Sequence, residues 1–190
     1  VSDVGVAELY AESTSQNDDL TLGGPPEIII SANSNAGFSI VKFDGDGSVQ
    51  KIPHGLSAAP EMILFKRLDS SGDWQVYHTS IGNGNKLSLN STAASSSTSR
   101  FDSTSPTATL FTFKSSSYTG NIIAYCFHSV SGYSKFGGYT GTGATGNTVT
   151  IGFQPDFVMV KSTDEAEPWF ILDSVRDANI PNNNRLMADS

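Results

Sequence analysis

Short apolar runs bounded by turn-forming residues recur along the whole chain. In residues 38–43 the apolar side chains fall on both alternating faces, which predicts a strand that is covered on two sides. Residues 62–65 form a continuous apolar run, and its short length and the preceding Pro60 favour a central strand over a helix. Further strands are predicted at 27–31, 49–52, 74–78, 87–89, 109–113 and 121–127. Gly- and Asn-rich turns separate them, so the pattern predicts an all-β protein with antiparallel sheets.

The chain repeats part of itself at an offset of 95 residues. Pro60 falls on Pro155, Lys66 on Lys161 and Trp74 on Trp169. The similarity extends backwards from 37–39 onto 132–134, and forwards from 86–91 onto 185–190 at an offset of 99. Both copies read as strand, turn, strand, which predicts two related β-sandwich-like units in tandem.

The second copy is shorter than the first. Residues 109–113 and 121–127 of the first copy have no counterpart after 190, so the second unit is expected to be incomplete. The predicted organisation is an N-terminal arm and hinge (1–36), a first unit (37–130) and a second, truncated unit (131–190). An incomplete unit exposes a sheet edge, so we expect a fragment of a longer chain or association with other subunits.

Composition and charge exclude several classes of function. The chain of 190 residues has 19 acidic and 11 basic residues, a net charge of −8, which works against binding to nucleic acid. No run approaches the roughly 20 apolar residues of a membrane-spanning helix, so no membrane insertion is expected. The single cysteine, Cys126, lies in an apolar run and is predicted to be a buried thiol.

Two short motifs resemble ligand sites but lack the context that such sites need. Residues 141–146 fit the glycine pattern of dinucleotide-binding loops, yet the strand-like run 147–151 follows where a helix is required, so we interpret the motif as a hairpin turn. Residues 44–47 resemble the start of a calcium loop, but Val49 stands where the turning glycine should be. The three histidines have no ligand spacing, and we predict no metal, cofactor or catalytic residue.

Aromatic residues are the candidates for ligand contact. Phe101, Tyr118 and Tyr139 lie in Ser-, Thr- and Gly-rich segments, where they could contact a glycan or simply anchor their loops. Trp74 and Trp169 could stack on sugars, but their position beside apolar strands favours packing between sheets. Aspartates in turns could form a glycosidase pair or cap the backbone, as turn aspartates commonly do.

Several strings of the chain resemble one known family. In the first copy they are residues 37–43, 52–56, 59–63, 74–78 and 123–127, and in the second 132–137, 152–155 and 173–177. Over about residues 37–190 the chain resembles a tandem-repeat β domain of unknown function found in tail-fibre-like and other virion structural proteins of marine bacteriophages.

The resemblance implies a non-enzymatic structural protein, tail-fibre-like or displayed on the particle surface, that serves assembly or host attachment. Its partners would be further copies in a homo-oligomer, other virion proteins or a host surface glycan. Two alternatives stay open at this stage, namely a carbohydrate-binding adhesin and a glycan hydrolase.

Overall fold

The computed structural model describes residues 27–114, 118–176 and 185–189. These contain one 3₁₀ turn, Thr79–Ile81, and no α-helix, which confirms the predicted all-β class. The strands are β1 (Ile29–Asn33), β2 (Phe38–Gly45), β3 (Val49–Pro53), β4 (Met62–Arg67), β5 (Gln75–His78), β6 (Asn85–Ser88), β7 (Ser96–Ser97), β8 (Leu110–Lys114), β9 (Gly120–Phe127), β10 (Phe157–Val160), β11 (Phe170–Asp173) and β12 (Leu186–Met187). No helix among the described residues is long and apolar enough to cross a membrane.

A seven-stranded antiparallel sheet forms the centre of the fold, in the order β1-β2-β9-β4-β5-β6-β7. Strand β9 pairs with β2 on one side and with β4 on the other. Its alternate residues Ile122, Ala124 and Cys126 are fully buried. The β-prone run at 27–31 is largely β1, which pairs with β2 of the same chain. The remainder of the predicted arm, residues 1–26, lies outside the described residues.

The inner face of this sheet packs against the β3-β8 pair. The core between them contains a cluster of edge-on and tilted aromatic rings: Phe43, Phe65, Phe111 and Phe113 lie 5.1 to 5.9 Å apart between centroids and are at most 1% exposed. Burying a phenylalanine side chain stabilises a fold by about 1.5–3 kcal/mol, so this cluster is a main source of stability.

The outer face carries a second apolar cluster, and there the sheet formed by β10, β11 and β12 packs. Met62, Val76 and Leu87 of the large sheet contact the buried Trp169, with Met159 of β10 at the edge of the cluster. The Trp169 indole Nε1–H donates to the Ser88 carbonyl over 2.9 Å. The described chain is thus layered as β3-β8, the large sheet, and the β10–β12 sheet.

The two repeats share their hairpin register. Met62 pairs with His78 as Phe157 pairs with Asp173, and Val76 pairs with Leu87 as Ile171 pairs with Leu186. The repeat inferred from the sequence is therefore present as a three-stranded element, β4-β5-β6 and β10-β11-β12. The repeats meet through equivalent faces, because Leu64 and its counterpart Met159 both border the outer cluster.

The predicted hairpin in the first half of the second repeat is wrong. Residues 135–151 form no strand, and 137–150 are exposed. In the first repeat the corresponding strands β2 and β3 pair with β9 and β8. Since the described part of the second repeat has no counterpart of β8 or β9, its segment lacks the partners that would hold it extended.

Candidate functional site

An open groove lies on the part of the outer face that the β10–β12 sheet leaves uncovered. Its volume is about 620 Å³. Strand alternation brings Phe38 of β2, Tyr125 and Phe127 of β9, and Leu64 of β4 to this face, and Trp74 follows from the turn before β5. The groove is lined by Asn33, Ala36, Gly37, Phe38, Leu64, Trp74, Tyr125, Phe127, Tyr133, Ser134 and Phe136.

Aromatic rings form a row along the floor. The Trp74 ring lies 6.0 Å from that of Tyr125, and Tyr125 lies 6.5 Å from Phe38 with the two planes only 12° apart. Phe38 in turn lies 4.9 Å from Phe127, which lies 5.7 Å from Phe136. The other three pairs are tilted by 31° to 37°, and rings set side by side in this way present a broad surface rather than a deep pocket.

Hydrogen bonds between side chains and the backbone, together with a β-bridge, fix the walls of the groove. On one side the β1–β2 turn is closed by the Asn33 side chain, which accepts from the Ala36 N–H over 3.1 Å. On the other side Val130 and Ser134 form a β-bridge, and the Ser129 hydroxyl accepts from the Phe136 N–H over 3.0 Å. The groove is therefore shaped before any ligand arrives, which lowers the entropic cost of binding.

The groove has few polar side-chain groups, and two of them, Asn33 Oδ1 and the Ser134 hydroxyl, are already hydrogen-bonded to the backbone. The Trp74 indole N–H and the Tyr125 and Tyr133 hydroxyls form no hydrogen bond with residues in the described ranges, and Tyr133 is 66% exposed. None of the lining residues is a carboxylate, a lysine, an arginine or a histidine. An apolar, uncharged surface with a few directional groups suits a neutral ligand that has both apolar and hydroxyl surface.

The structure places the three predicted contact residues differently. Phe101 is 3% exposed and packs against Phe65 and Tyr77 with centroids 5.8 and 5.2 Å away. Tyr118 is 6% exposed, and its hydroxyl accepts from the Arg67 N–H and donates to the Asp73 carbonyl. Burial removes these two rings from the candidates, since neither can present a face to a glycan; they anchor their loops instead.

Tyr139 is 56% exposed but does not line the groove. It belongs to the irregular segment of the second repeat, and its contact with a glycan stays a prediction. Of the two tryptophans, Trp169 packs between sheets as expected, whereas Trp74 is only half-buried and borders the groove.

Sequence reasoning missed the other groove residues for an identifiable reason. Phe38, Tyr125 and Phe127 lie in strands whose two faces are both apolar, and such strands normally signal a core. Nothing in the local pattern shows that the described β10–β12 sheet leaves these side chains uncovered.

The histidines have structural roles. His54 is fully buried; its Nδ1 accepts from the Leu56 N–H over 3.1 Å and its Nε2 lies 3.1 Å from the Thr107 carbonyl. Burial lowers the pKa of His54, and burial likewise lowers that of His78, whose Nδ1 accepts from the Ser80 N–H. His128 Nε2 lies 3.5 Å from the Ser57 hydroxyl, at the outer limit of a hydrogen bond.

The turn aspartates are engaged separately. Asp69 pairs with Arg67 over 2.7 Å, Asp102 with Lys114 over 3.4 Å, and Asp173 with Arg176. Two of these carboxylates also cap the backbone, since Asp69 accepts from the Asn121 N–H and Asp173 from the Arg176 N–H. Within the described ranges, no group of three or more His, Cys, Asp or Glu side chains is placed to hold a metal ion.

Comparison with protein families gives a match over most of the chain. Residues 11–190 match the family described as Domain of unknown function (DUF7483). No curated protein and no solved structure matches the chain.

Proposed function

Because the chain belongs to the family described as Domain of unknown function (DUF7483), whose description names no activity, we propose its role from the groove and the fold. The chain is a non-enzymatic structural module of a bacteriophage particle, tail-fibre-like or displayed on the particle surface, and it serves assembly or host attachment.

The observation that carries this proposal is the preformed aromatic groove on the outer face of the large sheet. An exposed patch of contiguous apolar surface on a folded protein commonly marks a binding surface. Here the rings rest on a sheet whose opposite face is a packed aromatic core, so they are held rigidly. A rigid platform suits attachment, because little ordering is required when the partner binds.

Labelling tests the location on the particle. Antibodies against the purified chain, coupled to gold, are expected to decorate intact particles of the virus that carries it. Decoration that appears only after the particles are disrupted would contradict surface display, and none at all on purified particles would contradict a virion role.

Competition tests attachment and the groove together. The purified chain is expected to reduce adsorption of particles to host cells, and Trp74→Ala is expected to lose this effect. Tyr139→Ala is the matched control, since it removes an exposed aromatic ring that lies outside the groove. Equal competition by the Trp74→Ala chain would remove the groove from the proposal.

A second candidate is carbohydrate binding, favoured by the uncharged row of rings with free polar groups. The C–H face of a pyranose stacks on aromatic rings, while its hydroxyls would form hydrogen bonds with the Trp74 indole N–H and the Tyr125 hydroxyl. On a glycan array, Trp74→Ala is expected to weaken binding by about tenfold or more, equivalent to about 1.4 kcal/mol. Tyr125→Phe keeps the ring and is expected to lose less, and Tyr139→Ala again serves as the control. Absence of binding to any glycan would contradict this candidate and leave attachment through a protein receptor.

A further inference from the structure

Strand β10 has one edge without a partner strand in the part of the chain that the structure describes. β10 pairs with β11, and no described strand pairs with its other edge. This unpaired edge ends at Thr163, whose carbonyl accepts a hydrogen bond from the Ser95 N–H over 2.8 Å. Residues 157–161 form the open stretch.

The first repeat shows what fits such an edge. β4 is the counterpart of β10, and its corresponding edge is occupied by β9 in antiparallel register, from Met62 opposite Phe127 to Arg67 opposite Ile122. The hairpins on the other side of β4 and β10 have identical register. The backbone of the second repeat is therefore arranged as a template for one more strand.

The hydrogen-bonding groups at the open edge can be assigned. The Ser174 N–H donates to the Asp156 carbonyl over 2.9 Å, as the Thr79 N–H donates to the Glu61 carbonyl in the first repeat. The Asp156 carbonyl therefore lies on the β11 side of the strand. Because every second residue of a strand directs its backbone N–H and C=O to the same side, the backbone groups of Val158 and Val160 also bond to β11. Phe157, Met159 and Lys161 then direct their backbone groups to the open edge.

The usual protection of an edge is weak here. Lysine side chains often block edge pairing by charge. The Lys161 ammonium is held elsewhere, however, by the carbonyls of Ser162 and Thr92 at 2.8 and 3.1 Å. The open stretch otherwise consists of apolar residues, of which Phe157 is 58% exposed.

We propose that the open edge of β10 binds an antiparallel strand of a separate partner polypeptide with the side-chain pattern of β9. That pattern places aromatic residues opposite Phe157 and Met159, and small residues opposite Val158 and Val160. Backbone hydrogen bonds would supply affinity and the alternating side chains specificity, as in other strand additions. This site is distinct from the groove, and it would join the chain to a neighbouring component.

A peptide with the sequence of residues 120–127, flanked by lysines for solubility, tests the register. In that register its cysteine, which corresponds to Cys126, lies opposite position 158, because Ile63 pairs with Cys126 in the first repeat. Under mild oxidation the full chain carrying Val158→Cys is expected to form a disulfide with the peptide at least tenfold faster than chains carrying Phe157→Cys or Val160→Cys. The chain's own Cys126 is fully buried and should not form a disulfide with the peptide.

Amide exchange provides a second, variant-free measurement. Adding the peptide to the native chain is expected to slow exchange at Phe157, Met159 and Lys161 by at least tenfold, while Val158 and Val160, already bonded to β11, change little. A scrambled peptide is the control. Equal cross-linking at all three positions, or no change at the three amides with millimolar peptide, would overturn the proposal.

Self-association is a separate outcome. Concentration-dependent sedimentation, with the same three amides protected in the absence of peptide, would identify a second copy as the occupant and overturn the assignment to a separate partner. Trp74→Ala should leave peptide binding unchanged, so failure of the groove and failure of the edge can be told apart.

Discussion

Trp169 takes in the second repeat the place that Trp74 takes in the first, and both backbones are held in the same way. The Trp74 N–H donates to Asn90 Oδ1 over 2.9 Å, and the Trp169 N–H donates to Asp189 Oδ1 over 3.0 Å. The rings have different surroundings, because Trp169 is 5% exposed between two sheets whereas Trp74 is half-buried beside the groove. The repeats thus share a backbone arrangement, and packing of one on the other gives the two rings different roles.

Trp169→Ala is expected to lower the free energy of unfolding by about 3–5 kcal/mol, since it leaves a cavity between the sheets. Trp169→Phe retains most of the packing but loses the bond to the Ser88 carbonyl, and should lose less. Urea denaturation measures both. Trp74→Ala is the positional control, and a loss as large as that of Trp169→Ala would contradict the different burial of the two rings.

Stability should fall as the pH drops below about 6.5. Burial holds the pKa of His54 below its ordinary value of 6.5 in the folded chain, so the unfolded chain takes up the proton first. His78 contributes with the same sign, because its pKa is also lowered. The urea midpoint at pH 5.5 is therefore expected below that at pH 7.5, with a weaker dependence for His54→Gln. A His54 ring signal in NMR that titrates at or above pH 6.5 would contradict this prediction.

The Cys126 thiol should be unreactive in the folded chain. It is fully buried, and burial raises its pKa to about 12, so almost no thiolate is present at pH 8. A thiol-specific reagent such as dithionitrobenzoate is expected to label it fully in denaturing urea and only at the rate of local or global opening without urea. Rapid stoichiometric labelling of the native chain would be inconsistent with this burial.

Gly37→Ala is expected to destabilise the chain by about 2–4 kcal/mol. Gly37 has φ of +64°, and an added Cβ would lie 2.5 Å from the His128 carbonyl oxygen. Its repeat counterpart Gly132 is a matched control, with φ of +74° and no atom within 4 Å of an added Cβ. Gly132→Ala should therefore cost only the backbone term, about 1 kcal/mol. Equal costs for the two variants would show that the close contact at Gly37 relaxes freely.

The fold could be predicted from the sequence where the local pattern of apolar residues determines which strands pair. The apolar run at 62–65, the turn and Trp74 identified a hairpin, and the copy at 157–169 identified its repeat. The pairing of β9 between β2 and β4 was not accessible, because alternation shows that a strand is buried but not which strands flank it. The strand predicted around 147–151 is wrong because an extended segment needs partner strands, and local propensity does not show whether such partners are present.

The groove was less accessible than the fold. Its position depends on how far the β10–β12 sheet extends over the outer face, which is a tertiary property. The sequence pattern predicts Phe38 and Tyr125 to be core residues, and they would be buried if the β10–β12 sheet extended further over the outer face. Phe101 and Tyr118 read as loop residues, and their burial comes from contacts with distant strands.

The central place of β9 has a consequence for how the chain acquires its structure. Its pairing with β2 joins residues 75 to 89 positions apart, from Gly45 with Gly120 to Phe38 with Phe127. During synthesis, β2 and β4 emerge without the strand that must lie between them, so the large sheet cannot close until residue 127 has left the ribosome. Sheets dominated by such distant pairings fold slowly. Until then the edges of β2 and β4 that will pair with β9 are open to incorrect pairing, whereas β1 and β5 can already cover the opposite edges of β2 and β4.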